Sequence, residues 1–195
     1  RIKIASVYQD SVLDNKFVLY YEKFDTGTDV EIWRKEYYAS LITGTAGAAK
    51  IVDKASVATT SAAEYAASTA RSFDVYEHSS STSDSVFIAW TNRGNNLSIA
   101  EDDNGTLGTI QDFTTGITAD SPIALYRSAA GGTSRVYAAI SAGTSLKIMQ
   151  ALESNLGTDQ KIGTGSITTA KKGQGGFVDS PDGTKVRFYY TDFTS

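Results

Sequence analysis

Few groups in this chain are capable of covalent or proton-transfer chemistry, and each has a plainer reading in its own surroundings. Cysteine is absent and His78 is the only histidine. It stands in His78-Ser-Ser-Ser-Thr82, directly behind an apolar strand pattern, which predicts a solvated loop residue. A Ser-His-acid triad needs that imidazole, and no Gly-x-Ser-x-Gly elbow accompanies it. Glu101-Asp102-Asp103-Asn104-Gly105 gathers carboxylate oxygens of the kind that hold Ca²⁺, but Asn-Gly behind an acidic turn is also an ordinary hairpin solution. Paired carboxylates for glycoside cleavage come from distant points of a fold, and the sequence singles out no pair. No catalytic residue, metal or cofactor is therefore assigned. What remains is non-covalent chemistry. Arg135 offers a planar fork of donors to hydroxyl groups, and Trp33, Trp90 and Tyr189 offer ring faces against which the apolar C–H faces of sugars stack. These four are the candidate ligand-binding residues. The alternative reading pairs Arg135 with a carboxylate inside a sheet and packs the aromatic rings between sheets.

The elements that carry them are strands. Ser134–Gln150, SRVYAAISAGTSLKIMQ, aligns without a gap on Ser85–Glu101, SVFIAWTNRGNNLSIAE. Each is an alternating apolar run, a polar turn around Gly94 or Gly143, and a second run bearing Leu-x-Ile, which is the pattern of a β-hairpin. Further copies of the first run begin at Phe17 and Val186, beside those at Val86 and Arg135. Each is preceded by another short strand: Ile4–Tyr8, Phe73–Glu77, Ile123–Arg127 and Phe177–Asp179. Weaker fourth strands are expected at Lys50–Val52, Gly108–Gln111 and Gln160–Gly163. The unit is a four-stranded meander of about 50 residues, the size of a propeller blade.

The expectation is thus an all-β, β-propeller-like chain with three full blades and half of a fourth, at about 1–56, 72–115, 121–165 and 175–195. A half blade leaves a sheet edge that another chain or another part of the same chain must cover, so a homo-oligomer completing the propeller is one expected partner. Residues 39–72 break the period. They are expected to hold a last strand near Lys50–Val52 and a long surface loop, with a short helix over Ser61–Arg71 as the alternative.

Composition narrows the function further. With 18 basic against 22 acidic residues the net charge is −4, and like charges form no long block, which disfavours nucleic acid. No apolar run approaches the roughly 20 residues that span a bilayer, so membrane insertion is not expected. Ser180-Pro181-Asp182-Gly183-Thr184 partly resembles the Asp box of sialidases but reads first as a plain turn. Asn96-Leu-Ser98 and Asn104-Gly-Thr106 have the form of glycosylation sequons.

Ser121-Pro-Ile-Ala124, then Ser134-Arg-Val-Tyr137, Gly143 and Leu146, resembles the repeat of the fungal fucose-binding lectins of the Aleuria aurantia type. That resemblance implies a propeller with sugars held between adjacent blades by a strand arginine, a following glutamate and an aromatic ring from the next blade. Only the arginine carries over cleanly, as Arg135; the corresponding positions elsewhere hold Phe17, Val86 and Val186, and the glutamate position falls near Ile148. The expected function is a non-catalytic, lectin-like protein whose partner is a glycan, in an extracellular or secreted setting. A sialidase- or glycosidase-like enzyme and a structural or adhesive module are the competing classes.

Overall fold

The computed structural model describes residues 2–7, 16–24, 30–38, 49–52, 73–77, 85–91, 96–103, 106–114, 123–142, 145–166 and 175–190. These form four antiparallel sheets that follow one another along the chain. The first is a meander of β1 (Ile2–Val7), β2 (Lys16–Phe24), β3 (Val30–Tyr38) and β4 (Ala49–Val52). The second holds β5 (Phe73–Glu77), β6 (Ser85–Thr91), β7 (Asn96–Asp103) and β8 (Thr106–Leu107), with β9 (Gln111–Thr114) also paired to β7. The third is β10 (Ile123–Ser128), β11 (Arg135–Ala142), β12 (Ser145–Leu152) and β13 (Lys161–Ser166), and the last is the pair β14 (Gly175–Asp179) and β15 (Val186–Tyr190). Among the described residues β15 has β14 as its strand neighbour, and no sheet closes on itself. His78, Gly94, Asn104, Gly143 and the helix considered at 61–71 lie outside the described residues.

Apolar side chains join consecutive sheets in three clusters. Val18, Tyr20 and Ile32 of the first sheet meet Phe73, Val86, Ile88 and Trp90 of the second. Phe87, Ala89, Leu97 and Ile99, on the opposite face of that second sheet, meet Ile123, Leu125, Val136, Ala138 and Ile140 of the third. Ala139, Leu146 and Ile148 then meet Phe177 and Phe188 of the last. Strand β6 is buried along its whole length because it has a sheet on each face, so the alternation expected for this run is corrected to a continuous apolar stretch, Val86–Trp90. Each large side chain removed from water in this way contributes about 1.5–3 kcal/mol.

The two echoing segments do form hairpins, β6–β7 and β11–β12, but their registers differ. Thr91 pairs with Leu97, whereas Ala142 pairs with Ser145. Leu97 and Leu146 still correspond, each facing the following sheet. On the preceding strands, Phe73 pairs with Trp90 and Ile123 with Ile140, so Trp90 corresponds to Ile140 and not to Ala139. The third sheet therefore has a tighter connection, and β11 is displaced by one residue from the ungapped alignment. Because side chains alternate across a strand, that single step decides which sheet each residue faces. Arg135 consequently corresponds to Ser85, and its match to Val86 is corrected.

The expected strand over Gly108–Gln111 is also interrupted. Residues 108–110 lie between β8 and β9, and Gly108 N donates to Glu101 O at 2.8 Å. A Cβ on Gly108 would stand 3.3 Å from that same oxygen, so the close approach suits glycine.

Candidate functional site

Where the second, third and last sheets come together, a serine hydroxyl and a set of aromatic rings surround one carboxylate, that of Asp179 at the end of β14. Ser128, the last residue of β10, donates to Asp179 Oδ1 at 2.5 Å and accepts from the backbone N–H of Ala130 at 2.9 Å. Tyr126 lies two residues earlier and so on the same face of β10. Burial pushes its phenol above the ordinary tyrosine value, and the Asp179 charge and the hydrogen bond to that carboxylate push it the same way; a hydrogen bond with the Asp179 backbone partly opposes them. Tyr76 on β5 is raised by burial first, then by Tyr126 and Glu77, with Arg127 opposing and Asp179 adding a little. Tyr137 on β11 is raised by burial, lowered by Arg135 and raised by Asp179. Three phenols from three strands thus share the field of one carboxylate.

Ring contacts hold the phenols in place. Tyr76 meets Tyr126 edge-on at 5.3 Å between centroids, and Tyr126 stacks on Phe177 at 6.0 Å. Phe177 also contacts Tyr137 at 6.1 Å and Phe188 at 4.7 Å, and Phe188 stacks on Tyr190 at 6.3 Å. The result is a continuous aromatic array with Tyr76, Tyr126, Tyr137, Phe177 and Phe188 partly exposed. Gly175 opens β14 beside it because nothing larger fits: a Cβ there would fall 2.3 Å from the Phe188 ring.

A hydrogen-bonded turn follows Asp179 directly in the chain. Asp182 accepts from the hydroxyls of Ser180 and Thr184 and from the Thr184 backbone N–H, and these bonds hold its carboxyl down to about 2. Ser180 N donates to Lys185 O at 2.8 Å, and Gly131 N donates to Gly183 O at 2.9 Å, which ties this turn to the connection between β10 and β11. The Asp-box-like segment is therefore a hydrogen-bonded turn joining β14 to β15, directly after Asp179.

Arg127 and Arg135, the cations of β10 and β11, are paired. Arg127 makes a two-point contact with Glu153, Nε to Oε2 at 2.9 Å and Nη2 to Oε1 at 3.3 Å, and its Nη2 also reaches Ser134 Oγ at 3.4 Å. Arg135 Nη1 stands 2.5 Å from Asp159 Oδ2, and Lys161 Nζ stands 3.4 Å from Asp159 Oδ1. Among the described residues no cation pairs with Asp179.

The four residues singled out by sequence are dispersed. Trp90 lies in the core between the first and second sheets, 1% exposed, with its Nε1 lacking a hydrogen-bond partner among the described residues. Its ring meets protein and not solvent. Arg135 lies on the third sheet with its guanidinium beside Asp159, which stands in the connection between β12 and β13 and not inside a sheet. Trp33 is half-buried on β3, on the face opposite Ile32 and Arg34. Tyr189 is 59% exposed on the face of β15 opposite Phe188. Sequence reasoning missed Asp179, Ser128, Tyr76 and Tyr126. The available signal was the tyrosine at the fourth place of both Phe73-Asp-Val-Tyr76 and Ile123-Ala-Leu-Tyr126.

Elsewhere the acidic turn is divided by its strand. Asp102 is fully buried, accepts from the Tyr20 hydroxyl at 2.6 Å and pairs with Arg34 at 3.0 Å, so it is committed to the join between the first and second sheets and not to Ca²⁺. No cluster of potential metal ligands occurs among the described residues.

No family model matches this chain and no curated protein is similar to it. Among solved structures it is similar to that of SapL1 lectin in complex with alpha methyl fucoside, with a TM-score of 0.50 and 9% identity. The likeness covers 98% of this chain and 56% of the lectin chain, so the chain spans about half the length of that lectin. At this identity the likeness concerns the fold: an all-β chain of antiparallel sheets with a lectin neighbour.

Proposed function

We propose that the protein binds carbohydrate without catalysis, at the phenol–carboxylate cluster where β5, β10, β11 and β14 meet. The observation that carries this reading is the Ser128–Asp179 hydrogen bond beside the contacting, partly exposed rings of Tyr76, Tyr126, Tyr137 and Phe177. A sugar presents hydroxyl groups around its edge and apolar C–H groups on its faces, so it needs hydrogen-bonding groups next to an aromatic surface. The fold likeness to a lectin supports the reading. In it the four sheets are blades of a β-propeller, and the site lies where neighbouring blades meet. Arg135, two residues before Tyr137, is held by Asp159 outside the site, and Trp33 and Tyr189 lie on outer faces.

A second copy completing the ring belongs to the same reading. Its support is the outer face of the last sheet, where Val178 is 45% exposed and Tyr189 59%. Molar mass in solution tests it: a monomer at all concentrations removes the second copy.

A glycan array with the purified chain, followed by calorimetry on the best glycan, tests the function. Binding that falls at least about tenfold in Tyr126→Phe supports the site, since that change deletes one hydroxyl and keeps the ring. An array with no bound glycan sinks the reading.

A further inference from the structure

The cluster has a direction to its hydrogen bonding. Ser128 spends its hydroxyl proton on Asp179 at 2.5 Å, and Tyr126, two residues earlier on the same face of β10, lies within the field of that carboxylate. An ionised carboxylate accepts only, and hydroxyls that have donated to it retain lone pairs but no further proton. The centre of the site therefore offers acceptors. A ligand that fits it must bring donors, as sugar hydroxyls do.

Charge points the same way. Arg127 is held by Glu153, Arg135 by Asp159, and Lys161, whose side chain is 66% exposed, shares that same Asp159. Glu77, exposed at the end of β5 beside Tyr76, adds a further negative charge. Asp179 is thus a half-buried anion with hydroxyl neighbours and no cationic partner among the described residues. A ligand carboxylate placed here would meet a like charge at close range, in surroundings drier than bulk water.

We propose that Asp179 sets the ligand class: the site takes uncharged sugars through their hydroxyl donors and rejects sugars that carry a carboxylate, such as uronic and sialic acids. This inference rests on the carbohydrate-binding reading and adds to it the chemical class of the ligand and the residue that selects it.

The test is calorimetric titration of the purified chain with a panel of neutral methyl glycosides, each beside the uronic acid that differs from it only at C6. Wild-type protein is expected to favour the neutral member at least about tenfold, because two like charges at this range repel strongly outside bulk water. Asp179→Asn keeps the shape and the acceptor for Ser128 while removing the charge, and is expected to shrink the preference below about threefold. Raising the salt concentration is expected to narrow the wild-type preference, which tests the charge without any variant. Equal binding of both members by wild-type protein overturns the inference and leaves carbohydrate binding in place; so does a preference unchanged in Asp179→Asn. Binding of no glycoside of either kind removes the carbohydrate reading itself, and the inference with it.

Discussion

Arg34 Nε stands 3.0 Å from Asp102 Oδ2 across the join of the first and second sheets, with 6% and 0% of the two side chains exposed. Tyr20 donates to the same oxygen at 2.6 Å from a fully buried position. Removing one partner strands a charge in the interior, so Asp102→Ala is expected to lose about 3–5 kcal/mol in urea unfolding. Tyr20→Phe removes one charge-assisted bond and is expected to lose about 1.5–3 kcal/mol. A loss below 1 kcal/mol in Asp102→Ala, on the order of what exposed pairs show, would mean that water reaches this join.

Trp90 and Arg135 are expected to separate stability from binding. Trp90→Ala opens a cavity between two sheets and should cost about 3–5 kcal/mol. Arg135→Ala breaks a partly exposed pair and should leave glycan affinity within about threefold of wild type, because its guanidinium already faces Asp159. A larger fall in affinity at unchanged stability would return Arg135 to the site.

Much of this fold was legible in the residues. The alternating runs, the turn glycines and the Leu-x-Ile repeats mark strands and hairpins because the strand period and turn geometry are local properties. The one-residue slip of β11 was not legible: whether Trp90 matches Ala139 or Ile140 depends on which sheet each strand face covers, and no local window contains that information. Asp179 was hidden for the same reason. Its hydroxyl partner Ser128 and the rings of Tyr126, Tyr137 and Tyr76 come from two other sheets, and beside the Ser180–Thr184 turn it reads as part of the turn.

Alkaline pH is expected to weaken the fold. Tyr20, Tyr76, Tyr126 and Tyr137 all have phenols raised above the ordinary value of 10.0, with burial the largest cause in each. A raised folded value means that the folded state holds its proton more tightly, so this contribution is complete below about pH 10 and is lost as pH rises beyond it. Unfolding midpoints should be level toward pH 9 and fall above about pH 10, less steeply in Tyr20→Phe. An unchanged slope in that variant would show that other groups govern the alkaline limb.

Acid titration reads the turn instead. Asp182 is held at about 2 against an ordinary 3.8, so its contribution is present above the ordinary value and fades as pH falls toward the lower one. Carboxyl NMR should find Asp182 among the last aspartates to protonate, and Ser180→Ala together with Thr184→Val should move it back upward. An ordinary value in the wild type would mean that the Ser180–Thr184 turn is open in solution.

Gly175→Ala should disturb the aromatic array without touching a hydroxyl. The added methyl meets the Phe188 ring and the Tyr189 backbone oxygen at 2.3 and 2.6 Å, so the strand pair must shift at a cost of about 1–3 kcal/mol. Near-ultraviolet circular dichroism should change with it; an unaltered spectrum and midpoint would show that β14 is free to move there.

The burial of β6 on both faces bears on how the molecule comes apart. Each of the three apolar clusters joins one sheet to the next in line, so a sheet at either end is held through one such cluster while the second and third are each held through two. In an array of this kind, opening proceeds from the ends, because detaching a terminal unit breaks a single contact surface. Amide protons in β14 and β15 should then exchange with solvent sooner than those of β6 and β7, and the last to exchange should be those of Val86 to Trp90. Limited proteolysis should follow the same sequence, trimming the chain from β15 inward and leaving the second and third sheets as the persistent remnant.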